Sequence, residues 1–361
     1  MDRINTRQLQ ALLVLNLFGM AAIYLPGIAV EAAERDGWVG VGLASVFAVL
    51  GCYLICSLAV IFRGMSFHDI ACLLLSRPLG KLVCIILALR AIAALGLELR
   101  IFGEVIRSEL LPFTPFWIVG SVMILLGGLA AFLGYGTRAR IAEILVFVAF
   151  APFLLNIGLA AFSVDFSNLT PVLESHPQDI LAGVFESGFA FFPIVNLLAA
   201  VPFVVNFDNK ARRRTVWAVV FAGALLTATT VLVLARLKAS GAAAQNWPLL
   251  EMFFTVELPG AFMERQNALV ISFWILTVFI GAGAGLFLGA HLFKEALSKG
   301  RRNFYLIFVM PAVLVLSLLP ENASRAVELA RMLYRITGPG LMLILPFVML
   351  LLARLRRRLP R

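Results

Sequence analysis

The stretch GFAFFPIVNLLAAVPF, residues 188–203, decides how this chain is read. It lies in an apolar run suited to crossing a membrane, yet it holds Pro193 near mid-run, Asn196, and Pro202. A proline removes one backbone donor and clashes with the carbonyl four residues back. In hydrocarbon, backbone groups freed in this way are costly unless a ligand, water or side chain meets them. A break at mid-depth therefore asks for an occupant.

The rest of the chain supports a membrane setting. Of its 361 residues, 61% are hydrophobic and only 14% charged, against about 25% charged in soluble domains. A spanning helix needs roughly 20 apolar residues. Ten such runs are read, near 9–30, 38–62, 82–103, 116–134, 141–163, 181–205, 215–237, 267–293, 303–319 and 338–353. The short gaps leave room for one membrane domain, 1–361, with an extracytoplasmic cap loop at 239–266. In that loop Leu249, Leu250, Phe253, Phe254 and Val256 alternate with acids, as in an interfacial helix. No small-residue cleavage site follows the first run, so it is expected to be retained rather than removed as a signal peptide.

The net charge of +10 is unevenly placed. Of the 30 Lys and Arg, twenty fall on the side holding the N-terminus, eight on the other, and Arg90 and Arg100 within a span. That bias puts both termini in the cytoplasm. The tail RLRRRLPR, 354–361, then reads as an anchor on the lipid bilayer rather than a nucleic-acid arm. Cys52, Cys56, Cys72 and Cys84 read as small packing residues, and the three histidines are scattered. No catalytic triad, phosphate loop or metal set is present, so no catalysis, metal or cofactor is expected.

Ten runs divide into five and five, and an odd half makes any repeat inverted. Secondary transporters of that kind carry interrupted segments at matching places in the two halves. Segment one, LVLNLFGMAAIYLPGIAV, has Gly19 near mid-depth and Pro26 beyond it; segment six has Pro193 and Pro202. Half-helix ends and freed carbonyls suit the carboxylate and ammonium of an amino acid. A large side chain at Gly19 is expected to block such a site.

Segment three, LVCIILALRAIAALGLELRIFGEVI, places Arg90, Ala94 and Glu98 on one helix face. Glu98 lies roughly 12 Å from Arg90 along the axis, so the two do not pair directly. Two accounts of Arg90 stand: a salt bridge to Glu186 or another acid across the bundle, or a counter-charge for a ligand carboxylate. Arg100 and Glu104 are spaced to pair, and Glu143 is a further acid within a span. In segment eight, Gly281, Gly285 and Gly289 form a smooth stripe for close helix approach, and Gly283 lies between them.

Several stretches carry a family resemblance along nearly the whole chain: RDGWV after segment one, LELRIFGEVI in segment three, LLPFTP, FSNLTPVL, LPENA, and NWPLLEMFFTVELPGAFMERQNALVISFW at 246–274. The chain resembles the spore germination permeases, the B subunits of Ger-type nutrient germinant receptors, in the amino acid/polyamine/organocation superfamily. The resemblance implies an all-α integral membrane protein with ten transmembrane helices in a LeuT-like 5+5 inverted repeat, helices 1 and 6 being broken. It also implies residence in the spore inner membrane and a complex with an A-type membrane subunit and a C-type lipoprotein. The implied role is binding of a small-molecule germinant, an amino acid; the alternative is an ion-coupled amino-acid transporter of the same fold.

Carried over residue by residue, the implied ligand site comprises Gly19, Met20 and Ala21 in segment one, and Arg90, Ala94 and Glu98 in segment three. Segment six adds Phe191, Phe192, Pro193 and Asn196, and segment eight Gly281 and Gly285. Relatives often carry an acid where this chain has Asn196, and a neutral residue where it has Arg90.

Overall fold

Polar residues set where the helices begin. The computed structural model describes residues 3–19, 21–162, 164–255, 263–298 and 300–357. The chain opens with α1 (Thr6–Gly19), α2 (Ala21–Ala33), α3 (Gly37–Ile61), α4 (Phe67–Leu74) and α5 (Arg77–Glu109). Then follow α6 (Phe116–Phe132), α7 (Tyr135–Ala161), α8 (Pro177–Ser187), α9 (Leu197–Ala200) and α10 (Asn209–Ala244). The last are α11 (Pro248–Phe254), α12 (Met263–Leu297), α13 (Arg302–Leu318), α14 (Ala323–Pro339) and α15 (Leu345–Arg357). Side-chain oxygens of Ser66, Ser76, Asp208 and Asn322 accept the orphan amides at the starts of α4, α5, α10 and α14.

Among the described residues, seven helical stretches are long and apolar enough to cross a membrane, and α6 and α13 are shorter apolar helices. The sequence places a break near Gly19; the described helices end at Gly19 and begin again at Ala21, and Met20 between them lies outside the described residues. Segment six differs from expectation in form. After α8 the backbone is not left open around Pro193; it tightens into a 3₁₀ helix over Gly188–Asn196. Another 3₁₀ turn follows α9 at Val201–Phe203. Winding to i→i+3 hydrogen bonds re-pairs carbonyls that a proline would orphan in an α-helix, and 3₁₀ runs beyond 3–4 residues are uncommon. A further interruption, a π turn at Gly340–Ile344, separates α14 from α15. Most of α14 lies in what reads as a loop, because its arginines break the apolar run.

The glycine stripe of α12 packs on α5. A Cβ at Gly285 would stand 3.0 Å from Leu95, and one at Gly289 3.0 Å from Ile92. At Gly281 the neighbour is the Glu98 carboxylate, 2.9 Å from where a Cβ would be. On another side of α12, Gly283 meets Gly127 of α6 and the buried Arg138, whose guanidinium donates to the Gly283 carbonyl at 2.9 Å. Close helix approach thus accounts for the stripe, and one end of it opens toward an acid.

The motif stretches lock the loops. Asp36 of RDGWV is 1% exposed and accepts the amides of Leu173 and Ser175 at 2.7 and 2.9 Å. Arg100 pairs with Glu104 at 2.9 Å, donates to the Glu321 carbonyl at 2.6 Å, and lies over the Phe116 ring. Asp36→Ala should lower stability by about 2 kcal/mol, since hydrogen bonds to a charged acceptor are among the stronger ones; thermal unfolding of the purified protein in detergent measures it, and an unchanged midpoint would refute it.

Within 239–266, Leu249, Leu250 and Phe253 of α11 are buried, so this face turns into the bundle rather than outward as in an interfacial helix. Val256 of that pattern lies outside the described residues.

Candidate functional site

Between α1, α2, α5, the 3₁₀ segment, α12 and α14 there is a cavity of about 110 Å³. Since roughly 10–15 Å³ of such space takes one water, it has room for a molecule of amino-acid size. Nine of the twelve site residues expected from the sequence line it: Ala21, Arg90, Ala94, Glu98, Phe192, Pro193, Asn196, Gly281 and Gly285. Phe191 is fully buried and not among the lining residues. Met20 lies outside the described residues.

Gly19 also stands apart from the cavity. A Cβ there would come within 3.2 Å of Thr277 on α12, so the glycine serves the α1–α12 crossing. Gly19→Leu therefore presses on Thr277. The expected result is a stability loss of about 1–3 kcal/mol from overpacking, read by thermal unfolding. A variant as stable as the parent would show that the crossing has slack.

Sequence reasoning missed Asn16 and Tyr24 from α1 and α2, Phe189 from the 3₁₀ segment, and Leu333 from α14. A polar Asn16 in an apolar helix, one turn before Gly19, was the available signal.

The polar groups of the cavity are incompletely matched. The Arg90 guanidinium donates to the Asn196 side-chain oxygen and, at 3.5 Å, to the Phe192 carbonyl; it also lies 4.5 Å from the Phe192 ring centroid. Its Nε has no partner among the described residues, and the residue is only 5% exposed. Glu98 has no hydrogen bond or ion pair among the described residues. The Asn16 Oδ1 is buried with no donor among the described residues. Buried charges are normally paired, so a cation and an anion left apart in one cavity stand out.

The salt-bridge account of Arg90 is corrected by Glu186. That carboxylate is held by α14, pairing with Arg331 at 2.8 Å and with Arg335, while Arg331 also reaches Glu31 of α2 at 3.0 Å. The arginines that read as loop charges thus tie α2, α8 and α14 together beside the cavity. Tyr334, between them, packs edge-on against Phe192. Glu143, likewise, receives Gln8 at 2.9 Å.

Farther along α12 lies a cluster of aromatic rings. Phe203, Phe287, Tyr135 and His291 pack ring against ring. Ile4 and Val204 bridge, with Ile4 N–H donating to Phe203 O at 2.9 Å and Val205 N–H to Ile4 O at 2.9 Å. Among the described residues no group of three or more His, Cys, Asp or Glu could hold a metal ion.

A helical bundle with an interrupted segment beside a cavity is the architecture of a LeuT-like fold. The fold is similar to that of MhsT, crystallised with L-phenylalanine, at a TM-score of 0.64 and 13% identity, covering 97% of each chain. It is also similar to a Na⁺-coupled sialic acid symporter, at 0.65 and 12%, covering 94% of this chain and 78% of the other. The sequence model of the spore germination protein family matches residues 3–326, and the chain belongs to that family. It is 24% identical to spore germination protein YndE of Bacillus subtilis (strain 168), over 90% of this chain and 89% of the relative. It is 22% identical to spore germination protein GerLB of Bacillus cereus, over 99% and 96%. The protein is thus a multi-pass membrane protein of permease type and not an enzyme.

Proposed function

We propose that this chain is the nutrient-sensing membrane subunit of a spore germination receptor and binds an L-amino acid in the cavity between α1/α2, α5, the 3₁₀ segment and α12. One observation carries the reading: among the described residues Glu98 and the Asn16 oxygen have no donor, and they line the same cavity as the guanidinium of Arg90. An ammonium group satisfies the two oxygens, and a carboxylate satisfies the cation. In this reading ten helices form two inverted halves, both termini are cytoplasmic, the chain is one domain with a cap at 239–266, and the membrane is the spore inner membrane.

Sensing requires that the ligand favour one arrangement of the broken helices, since equal affinity for both would shift nothing. The ion-pair cluster of Glu31, Glu186, Arg331 and Arg335 lies where α2, α8 and α14 meet. A ligand drawing the broken segments together would tighten it, and the changed outer surface would bias the A-type membrane subunit and the C-type lipoprotein.

The second reading is an ion-coupled amino-acid transporter, favoured by the likeness of fold to MhsT and the sialic acid symporter. Counterflow in proteoliposomes containing this chain alone separates the two. Sensing predicts amino-acid binding without flux; saturable exchange of labelled amino acid would establish the transporter.

A further inference from the structure

The cavity wall along α5 runs from cation through gap to anion. Arg90, Ala94 and Glu98 follow at intervals of four, and Ala94 contributes no polar group between the charges. By helical rise the two charged residues are roughly 12 Å apart along the axis. The bonds from Arg90 to Asn196 and to the Phe192 carbonyl hold its guanidinium toward the 3₁₀ segment. Glu98 faces the bare side of α12 at Gly281.

We infer that the ligand carries its ammonium and a carboxylate about three carbons apart, as do the side-chain carboxylate of L-glutamate and the single carboxylate of γ-aminobutyrate. The inference rests on the amino-acid reading of the cavity and narrows it. An α-amino acid with a neutral side chain has its two charges on either side of one carbon. It meets Glu98 or Arg90 but leaves the other bare, and an unpaired charge in this setting is costly. A three-carbon spacer lies across Ala94, against Phe189 and Phe192, and neutralises both ends.

Asn196 is the second element of the device. Being neutral, it orients Arg90 without cancelling its charge; an aspartate at this position would form a buried ion pair within the protein and remove the demand for a ligand anion. Phe192 contributes its ring face to the same cation.

The test is equilibrium binding to the full chain in lipid nanodiscs, with L-glutamate, γ-aminobutyrate, L-alanine and L-glutamine as probes. L-glutamate, γ-aminobutyrate or both should bind at least about ten-fold more tightly than L-alanine and L-glutamine, a difference of about 1.4 kcal/mol. Preference for γ-aminobutyrate means the α-carboxylate is excluded, and preference for L-glutamate means it is also recognised; either supports the inference. Arg90→Met and Asn196→Asp should each bring the ratio close to one, and the second does so with the arginine still present should the first fail to fold. Tight binding of L-alanine or L-glutamine without preference for the three-carbon compounds overturns the inference and leaves the amino-acid reading intact. A preference that survives in both variants also overturns it. Binding of none of the four refutes both.

Discussion

Glu98→Gln should abolish amino-acid binding while the protein remains folded. Glutamine keeps the size of the side chain but removes the charge that meets the ligand ammonium. Losing one member of a desolvated charge pair costs about 2–5 kcal/mol of binding, so affinity should fall by between about thirty-fold and several thousand-fold. Folding should survive because, among the described residues, Glu98 holds no internal partner to strand. Titration calorimetry in nanodiscs reads the loss, and circular dichroism the fold. A variant that binds as tightly as its parent would remove Glu98 from the site.

The largest expected effect on stability is at Glu186. This carboxylate is 12% exposed and holds Arg331, 20% exposed, and Arg335, 50% exposed. Glu186→Ala leaves both arginines facing the gap between α8 and α14. Breaking a buried pair from one side costs about 3–5 kcal/mol, and the exposure of Arg335 puts the expectation near the lower end, about 3 kcal/mol. Thermal unfolding measures it. Because Arg90 is bonded to Asn196 and not to Glu186, Arg90→Met combined with Glu186→Gln should show separate, additive costs and no rescue. Rescue in that double variant would mean that the two side chains meet after all.

How far the sequence could be read depended on what each signal measures. Hydrophobic runs and Pro193 locate the interruption of segment six because a proline disturbs a helix wherever it packs. Arg90, Ala94 and Glu98 were assigned to one face by period alone, and all three line the cavity. The glycine stripe pointed to a tight crossing, and Gly285 and Gly289 lie against Leu95 and Ile92 as that requires.

What could not be read was which element stands opposite. Glu186 is visibly an acid in an apolar run, but its partners are 145 and 149 residues away, on a helix whose charges disguise it as loop. Gly19, expected to line the cavity, faces Thr277 instead, because the direction of a helix face depends on the neighbour it meets. The 3₁₀ winding of Gly188–Asn196 is likewise a tertiary outcome: Pro193 forbids one hydrogen bond, and packing selects how the others re-form.

The most direct test of the central claim asks whether an amino acid lies against α5 between Arg90 and Glu98. With the four native cysteines replaced by serine, a single cysteine at Ala94 reports from the middle of the cavity wall, and one at Leu316 from the groove between α5, α13 and α14. Alkylation by a small thiol reagent is timed with and without an amino acid that raises the melting temperature of the protein. The account predicts that the amino acid slows modification of the Ala94→Cys variant several-fold and leaves Leu316→Cys unchanged. Equal rates at Ala94→Cys with saturating amino acid bound would place the ligand elsewhere and contradict the account.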